Sequence, residues 1–303
     1  MNIMVTGATG FIGKHLVSKI KESGDNVISV SRDSFDSDFR VGNITSQTEW
    51  RPILKNVDCI VHTAALAHIF DKSQSAETQF QEINCNATLN LARQAAMSGV
   101  KRFIFISTIG VNGKSTSKDS SFCESDTPNP DGPYALSKYN AEKGLHDIAG
   151  NHGLEIVIIR PPLVYGKNAP GNFGSLVKLI KKGFPLPFGA INNVRSFISV
   201  HNLVDIIINC IFHSDAKNQT FLVSDDDDVS TSELIYSLMN ECGRSQYLFC
   251  VNVSILLWLA KVLGKEAEIE KLTCDLKVDL DYTKRILGWK PPCSFHDGIK
   301  RCF

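Results

Sequence analysis

Tyr134-Ala-Leu-Ser-Lys138 sets a phenol and an ammonium four residues apart, a spacing that puts both on one face of a helix. A free tyrosine, with a pKa of ~10, is a poor base at neutral pH; a nearby cation favours the phenolate and draws it toward the working range. Such a pair can take the proton of an alcohol while hydride leaves the same carbon, or give one to a ketone in reverse. A second pair of equal spacing, Tyr139 and Lys143, follows at once. Five residues of helix rotate the face by roughly 140°, so the two tyrosines cannot serve one site. Tyr134 stands at the helix entrance after Gly132-Pro133, with small Ala135 and Ser137 leaving room for a cofactor. It is the candidate catalytic residue, and Tyr139 reads as packing. Upstream, the apolar run Phe103-Ile-Phe-Ile106 ends in Ser107-Thr108, where a hydroxyl could bridge substrate oxygen and phenol, since open α/β sheets place function beyond their strand ends.

Hydride chemistry requires a dinucleotide, and the N-terminus supplies a cradle. Thr6-Gly7-Ala-Thr-Gly10-Phe-Ile-Gly13 follows a short apolar strand and opens a helix. Gly7 suits a tight turn, Gly10 lets a pyrophosphate approach the backbone, and Gly13 lets the helix pack on the strand. At the end of the second strand, a carboxylate would bind a ribose 2′-hydroxyl and a cation a 2′-phosphate. The chain offers Ser31-Arg32, which favours NADP(H), and Asp33 one step later, which keeps NAD(H) open.

These groups need a sheet to hold them. Apolar, β-branched runs at 2–6, 26–31, 58–62, 102–107 and 155–160 alternate with helical patterns at 11–22, 74–97 and from about Tyr134. Continuous apolar strands between helices imply parallel pairing covered on both faces. The fold class is therefore α/β: a Rossmann-type doubly wound parallel sheet with a smaller C-terminal substrate-binding domain. A soft boundary falls near residue 165, with a return segment at about 195–225 and residues 166–303 otherwise forming mainly the cap. The helix expected at about 173–182 begins that cap. The acidic run Asp225–Asp228 precedes Ser230-Thr231 and reads as a solvated helix cap.

At 303 residues the chain has room for about two domains of ~150. It is 43% hydrophobic, and 32 basic residues balance 32 acidic ones, which argues against nucleic-acid binding driven by net charge. Nine cysteines without a Cys-x-x-Cys pair read as reduced thiols. The N-terminus lacks the pattern of a secretory leader. Ile255–Leu263 is interrupted by Lys261 and far short of a ~20-residue span. A cytoplasmic protein without stable membrane insertion is expected. That apolar helix is read as buried in the cap, with contact to a membrane-bound partner as the other reading. His62 and His68 lack a third ligand at convincing spacing, so no metal is assigned.

Taken together, Thr6–Gly13, His62-Thr-Ala64-Ala65, Ser107-Thr108, Tyr134-x-x-x-Lys138 and Arg160-Pro-Pro-Leu-Val-Tyr165-Gly166 resemble the extended short-chain dehydrogenases/reductases. More narrowly, they resemble the NAD-dependent epimerase/dehydratase family acting on nucleotide sugars. The resemblance implies Thr108, Tyr134 and Lys138 as catalytic residues, Lys138 also holding the nicotinamide ribose. It implies cofactor contacts at Gly7, Gly10, Phe11, Ile12 and Gly13, and at Ala64, Ala65, Arg160, Pro161 and Leu163, with Ser31, Arg32 and Asn43 around the adenosine. Substrate contacts follow at Asn172, at Pro187-Phe188 under the base, and at Arg195 on the diphosphate, where a guanidinium suits a phosphate fork. A homodimer through the 74–97 and 134–149 helices is implied as well.

Three positions depart from the family pattern: Asn112 stands for a Tyr, and Asn43 and Asn202 for Asp. Ile109-Gly110 also replaces the Asp-Glu that dehydratases carry after the threonine. The reaction expected is at carbon 4 of a UDP-hexose. The main reading is reduction of a UDP-4-keto-6-deoxy-N-acetylhexosamine for surface polysaccharide, drawn from Arg32 and from the likeness of the 183–195 segment to that branch. The alternative is a UDP-glucose or UDP-N-acetylglucosamine 4-epimerase, and a non-catalytic dinucleotide sensor is the third. Tyr134→Phe is expected to abolish turnover and Tyr139→Phe to keep it; comparable losses in two folded variants would overturn the assignment of Tyr134.

Overall fold

The computed structural model describes residues 1–67, 74–243 and 248–303. Seven parallel strands form one sheet in the order β3-β2-β1-β4-β5-β6-β9. They are β1 (Asn2–Thr6), β2 (Asn26–Ser31), β3 (Phe39–Arg40), β4 (Cys59–His62), β5 (Arg102–Ile106), β6 (Glu155–Arg160) and β9 (Gln219–Leu222). Every residue of β4 and β5 is buried, as expected of strands covered on both faces. One layer of helix is α1 (Phe11–Glu22) with α6 (Val200–Phe212), packed with Val61, Ile104 and Ile159 in one core. On the opposite face α3 (Ala87–Met97) and α4 (Gly132–His152) close a second core around Phe103, Phe105 and Ile158.

The helix expected over 74–97 is broken in register. α2 (Gln74–Phe80) runs into a π-helical turn, Gln81–Asn86, before α3. Inside that turn Asn84 is wholly buried. Its amide accepts from the Leu66 N–H (2.8 Å) and donates to the Leu66 carbonyl (3.0 Å) and to the Ser137 hydroxyl (3.2 Å). A wider turn there aims a polar side chain inward at the segment after β4, a use to which π-turns are often put.

The smaller unit holds the two-stranded sheet β7 (Leu163–Tyr165) and β8 (Phe197–Ser199), with α5 (Gly171–Lys181), α7 (Thr231–Glu241), α8 (Val253–Val262), α9 (Glu266–Thr273) and α11 (Phe295–Lys300). Its core joins Tyr165, Phe173, Leu238 and Phe295. The chain interleaves the units more than the sequence suggests. α6 and β9 return to the large sheet, and so does α10 (Asp281–Leu287), because Leu287 and Trp289 pack into the first core and the Trp289 N–H donates to Asp205 (2.8 Å).

Of the acidic run, Asp226, Asp227 and Asp228 are exposed as expected of a solvated cap, but Asp225 is not. Ser230 and Glu233 cap α7 by themselves in a reciprocal box. Asp225 is buried instead: it accepts from the Tyr165 phenol (2.7 Å), the Ser199 N–H (2.9 Å) and the Asn202 amide (2.6 Å). Burial pushes its carboxyl up to about 6 and raises the Tyr165 phenol as well. Asn202 thereby gains a reason. An Asp in its place would face Asp225 with a second carboxylate, whereas the amide donates to it and to the Cys293 carbonyl (2.7 Å).

Gly13 is the tightest point of the N-terminal loop: a Cβ there would lie 2.1 Å from the Gly7 carbonyl oxygen. Gly13→Ala should therefore push α1 off β1 and destabilise the protein by roughly 1–3 kcal/mol. A thermal melt matching that of the unsubstituted protein would refute this packing argument.

Candidate active site

β1 is the switch point of the sheet, pairing with β2 on one side and β4 on the other, and ligands bind where the loops diverge. Gly7 holds φ +70° there, and a Cβ on it would strike the Ala64 backbone N at 2.8 Å. Between these loops opens a cavity of about 320 Å3, lined by Gly7, Gly10, Ser31, Arg32, Asn43, Ala64 and Ala65 among the expected cofactor residues. Thr9, Thr63, Leu66, Ile44, Trp50 and Ile83 line it too; the sequence reading missed them because most lie in loops, which carry no periodicity, and Ile83 lies in the π-turn. The Trp50 ring N–H is buried and without a partner among the described residues. Ser31 is occupied locally, its hydroxyl 2.5 Å from that of Ser37. Arg32 is exposed and faces Asp33 at 3.5 Å, so its own neighbour already offsets the charge that the 2′-phosphate reading relies on.

His62 sits beneath the cavity. Its ring is wholly buried between the Thr6 hydroxyl (2.7 Å) and the Thr88 hydroxyl (3.0 Å). Burial holds it neutral, pushing its pKa down to about 3. His68 lies outside the described residues.

The reacting groups meet where β5 ends against α4. Thr108 caps a short 3-10 turn by accepting from the Gly110 N–H (3.2 Å), which leaves its own hydroxyl proton to donate. A Cβ at Gly110 would lie 3.3 Å from Ala135 and 3.5 Å from the Thr108 hydroxyl. Gly110 therefore lets α4 close in and sets Thr108 against the start of that helix. The Asp131 N–H on the Gly110 carbonyl (3.2 Å) and the Asn129 N–H on that of Val111 (2.9 Å) tie down the approach to the helix. Tyr134 follows, edge-on to Phe80 at 6.0 Å. Lys143 lies over the ring of Tyr139 at 4.8 Å, so the second pair stacks on itself, off the cleft.

Lys138 is 1% exposed. It donates to the Ile106 carbonyl (2.9 Å) and lies 4.4 Å over the Phe105 ring. Burial pushes its ammonium down to about 7 against the opposing pull of Glu142, and burial raises the Tyr134 phenol to about 12. The expectation that Lys138 draws the phenol down is not met in the protein alone. Burial works against both charged forms, and the ammonium is directed at a carbonyl and a ring.

Behind this pair lies a buried ion pair. Arg160, expected on the cofactor, directs its guanidinium inward to both oxygens of Glu142 (3.1 and 2.6 Å) and to the side-chain amide oxygen of Asn112 (2.9 Å). The Ser107 hydroxyl donates to the same carboxylate at 2.5 Å. Asn112 stands where a Tyr was expected because it accepts from Arg160 while donating to the Cys123 carbonyl (2.9 Å). Pro161 is buried and accepts from the Ile109 N–H (2.9 Å), and Leu163 is exposed at the start of β7.

The expected substrate residues are dispersed. Asn172 is exposed at the start of α5 and lines a second cavity of about 490 Å3 with Lys167, Lys178, Lys181 and Phe303, a set that contains neither Tyr134 nor Arg195. Pro187 and Phe188 are half-buried, and the Phe188 carbonyl accepts from Ser232 (2.6 Å). One nitrogen of Arg195 is fixed on the carbonyls of Lys271 (2.7 Å) and Cys274 (3.0 Å), and its remaining side-chain nitrogens have no partner among the described residues. Phe11 and Ile12, at the start of α1, are half-buried against the first core.

A seven-stranded parallel sheet, a glycine cradle at its switch point and a Tyr-Lys pair on α4 define a dinucleotide-dependent enzyme of the doubly wound class. The comparisons narrow it: the chain belongs to the NAD-dependent epimerase/dehydratase family, whose model matches residues 3–224. It is 43% identical over 307 residues to a UDP-glucose 4-epimerase of Vibrio cholerae, covering 99% of this chain and 94% of the relative. A UDP-glucose 4-epimerase of Thermotoga maritima, solved with UDP-glucose, superposes with a TM-score of 0.80 at 24% identity, over 100% of this chain and 97% of the other. A UDP-N-acetylglucosamine 4-epimerase of Bacillus cereus gives 0.81 at 23% identity, over 99% and 94%. At that identity the two structures show the fold alone.

Glu142→Gln removes the charge facing Arg160 inside the protein. Breaking a buried pair on one side costs about 3–5 kcal/mol, so denaturant unfolding should show a loss of that order; an unchanged midpoint would refute the weight placed on this pair.

Proposed function

We propose that this protein is a UDP-hexose 4-epimerase, acting on a UDP-glucose or UDP-N-acetylglucosamine pair. The 43% identity to the Vibrio cholerae epimerase, spread over nearly the whole of both chains, carries this reading. It favours the epimerase alternative over reduction of a 4-keto sugar. Dehydration finds no support in the residues after Thr108, since Ile109 is buried and apolar and Gly110 carries no side chain.

The cradle fits a dinucleotide on steric grounds: Gly7 and Gly13 leave no room for a side chain, and a cavity of about 320 Å3 opens beside Gly10. Gly7, Gly10, Ala64, Ala65 and Asn43 would hold it, with Lys138 toward the nicotinamide ribose. Bound there, NAD⁺ would supply a reversible hydride acceptor for carbon 4 and a positive charge in the cleft. Once ionised under that charge, the Tyr134 oxygen accepts the proton of the 4-hydroxyl and later restores it. Thr108, its hydroxyl proton free, orients that same oxygen. The free donors of Arg195 bind the diphosphate, with Asn172 and Pro187-Phe188 completing the nucleotide contacts. The same reading includes a homodimer through the 74–97 and 134–149 segments, and a cytoplasmic setting.

The test is to incubate purified protein with UDP-glucose, and separately with UDP-N-acetylglucosamine, and to resolve the products by anion exchange and NMR. Conversion to the 4-epimer without net consumption of cofactor is the expected result. Stoichiometric oxidation of NADPH by a UDP-4-keto-6-deoxy-N-acetylhexosamine, with neither UDP-hexose converted, would overturn it in favour of the reductase.

A further inference from the structure

The small unit bears an apolar surface for which the reaction has no use. On α8, Ile255, Trp258, Leu259 and Val262, with Leu263 just past its end, recur at the spacing of a single helical stripe. They are between 43 and 71% exposed, whereas Leu256 and Ala260 on the opposite side are buried. The expectation that this helix lies buried in the cap thus holds for one side only.

The stripe has neighbours of the same kind. Phe249 is exposed, and its backbone is bonded to Leu186 (3.0 Å) and Gly189 (3.1 Å), which ties the start of α8 to the 183–189 segment. Phe184, two residues before Leu186, is exposed too. Cations border both parts. Lys181 and Lys182 precede Phe184, while Lys261 and Lys265 flank the stripe, and all four are exposed. Against these four stand Glu266 and Glu268 in the first turn of α9.

We propose that this face docks the protein on an anionic lipid surface, the stripe lying at the boundary of headgroups and acyl chains with the lysines on the headgroups. An apolar stripe centred on Trp and Leu with a basic border is the composition of an interfacial helix, and tryptophan favours that depth. The ten residues of α8 span only about 15 Å, half a bilayer core of ~30 Å, so the helix lies on the surface and does not cross it. Four exposed lysines against Glu266 and Glu268 leave the border of the patch basic. An anionic surface complements that border. Docking would also hold the segment carrying Pro187 and Phe188 beside the lipid, giving the enzyme a working position at the membrane.

Full-length protein would be sedimented with vesicles of phosphatidylcholine alone and of phosphatidylcholine mixed equally with phosphatidylglycerol, with tryptophan emission recorded in parallel. The proposal expects binding to the anionic vesicles, a blue shift of Trp258 emission, and weakening by salt. Two variants read the two components: Trp258→Ser/Val262→Ser/Leu263→Ser for the stripe, and Lys182→Glu/Lys261→Glu for the border. Each should lower vesicle affinity about tenfold or more, with circular dichroism and thermal unfolding unchanged. Absence of sedimentation, equal binding to neutral vesicles, or binding unaffected in folded variants would overturn it. So would a dimer in light scattering that the stripe variant dissociates, which would assign the face to a second copy.

Discussion

Glu142 and Arg160 hold the active end of the molecule together. The carboxylate belongs to the catalytic helix, the guanidinium to the last residue of β6, and Ser107 at the end of β5 adds a hydroxyl to the same oxygen. Both charges are almost wholly out of water. A buried ion pair adds little net stability over an apolar alternative, yet either half left alone is costly. Its value here is geometric. Three elements that could slide on one another are fixed at one point, one helical turn beyond Lys138 and one residue from Thr108.

The surroundings follow from that arrangement. Asn112 takes the remaining face of Arg160, and Glu142 opposes the neutralisation of Lys138. On the other side of α4, Asn84 clamps Leu66 in the cofactor wall and reaches Ser137. The catalytic helix is therefore gripped from the strand ends by a charge pair and from the cofactor loop by an amide. Its tyrosine and lysine are left with few protein partners, as suits groups that must respond to a cofactor and a sugar. The pKa values of the protein alone, a phenol near 12 and an amine near 7, describe a site whose electrostatics are completed by what binds there.

A second buried knot, Tyr165 with Asp225 and Asn202, fixes the small unit to the large one. It also shows why single substitutions from a family pattern need their spatial partners to be understood. Asn202 makes sense only beside Asp225, and Asn112 only beside Arg160, although each pair is separated by more than twenty residues of sequence.

The parallel sheet, the glycine loop and the Tyr-Lys helix were legible in the sequence because each is local: apolar runs, glycines at a strand end and a four-residue spacing need no distant information. What those signals could not convey depends on pairing across the chain. Arg160 reads as a cofactor residue until Glu142 is seen to occupy it. Asp225 reads as part of a solvated cap until three donors are found on it. The helix over 74–97 reads as continuous until Asn84 turns inward through a π-turn. α8 likewise reads as an apolar helix without any sign of which side finds a partner, and burial of Leu256 with exposure of Trp258 is a matter of packing. Hydrophobic pattern and steric need are written along the chain and fix the architecture. The partner of a buried charge or amide is chosen by tertiary contact, because its desolvation must be offset by whichever group the fold brings beside it.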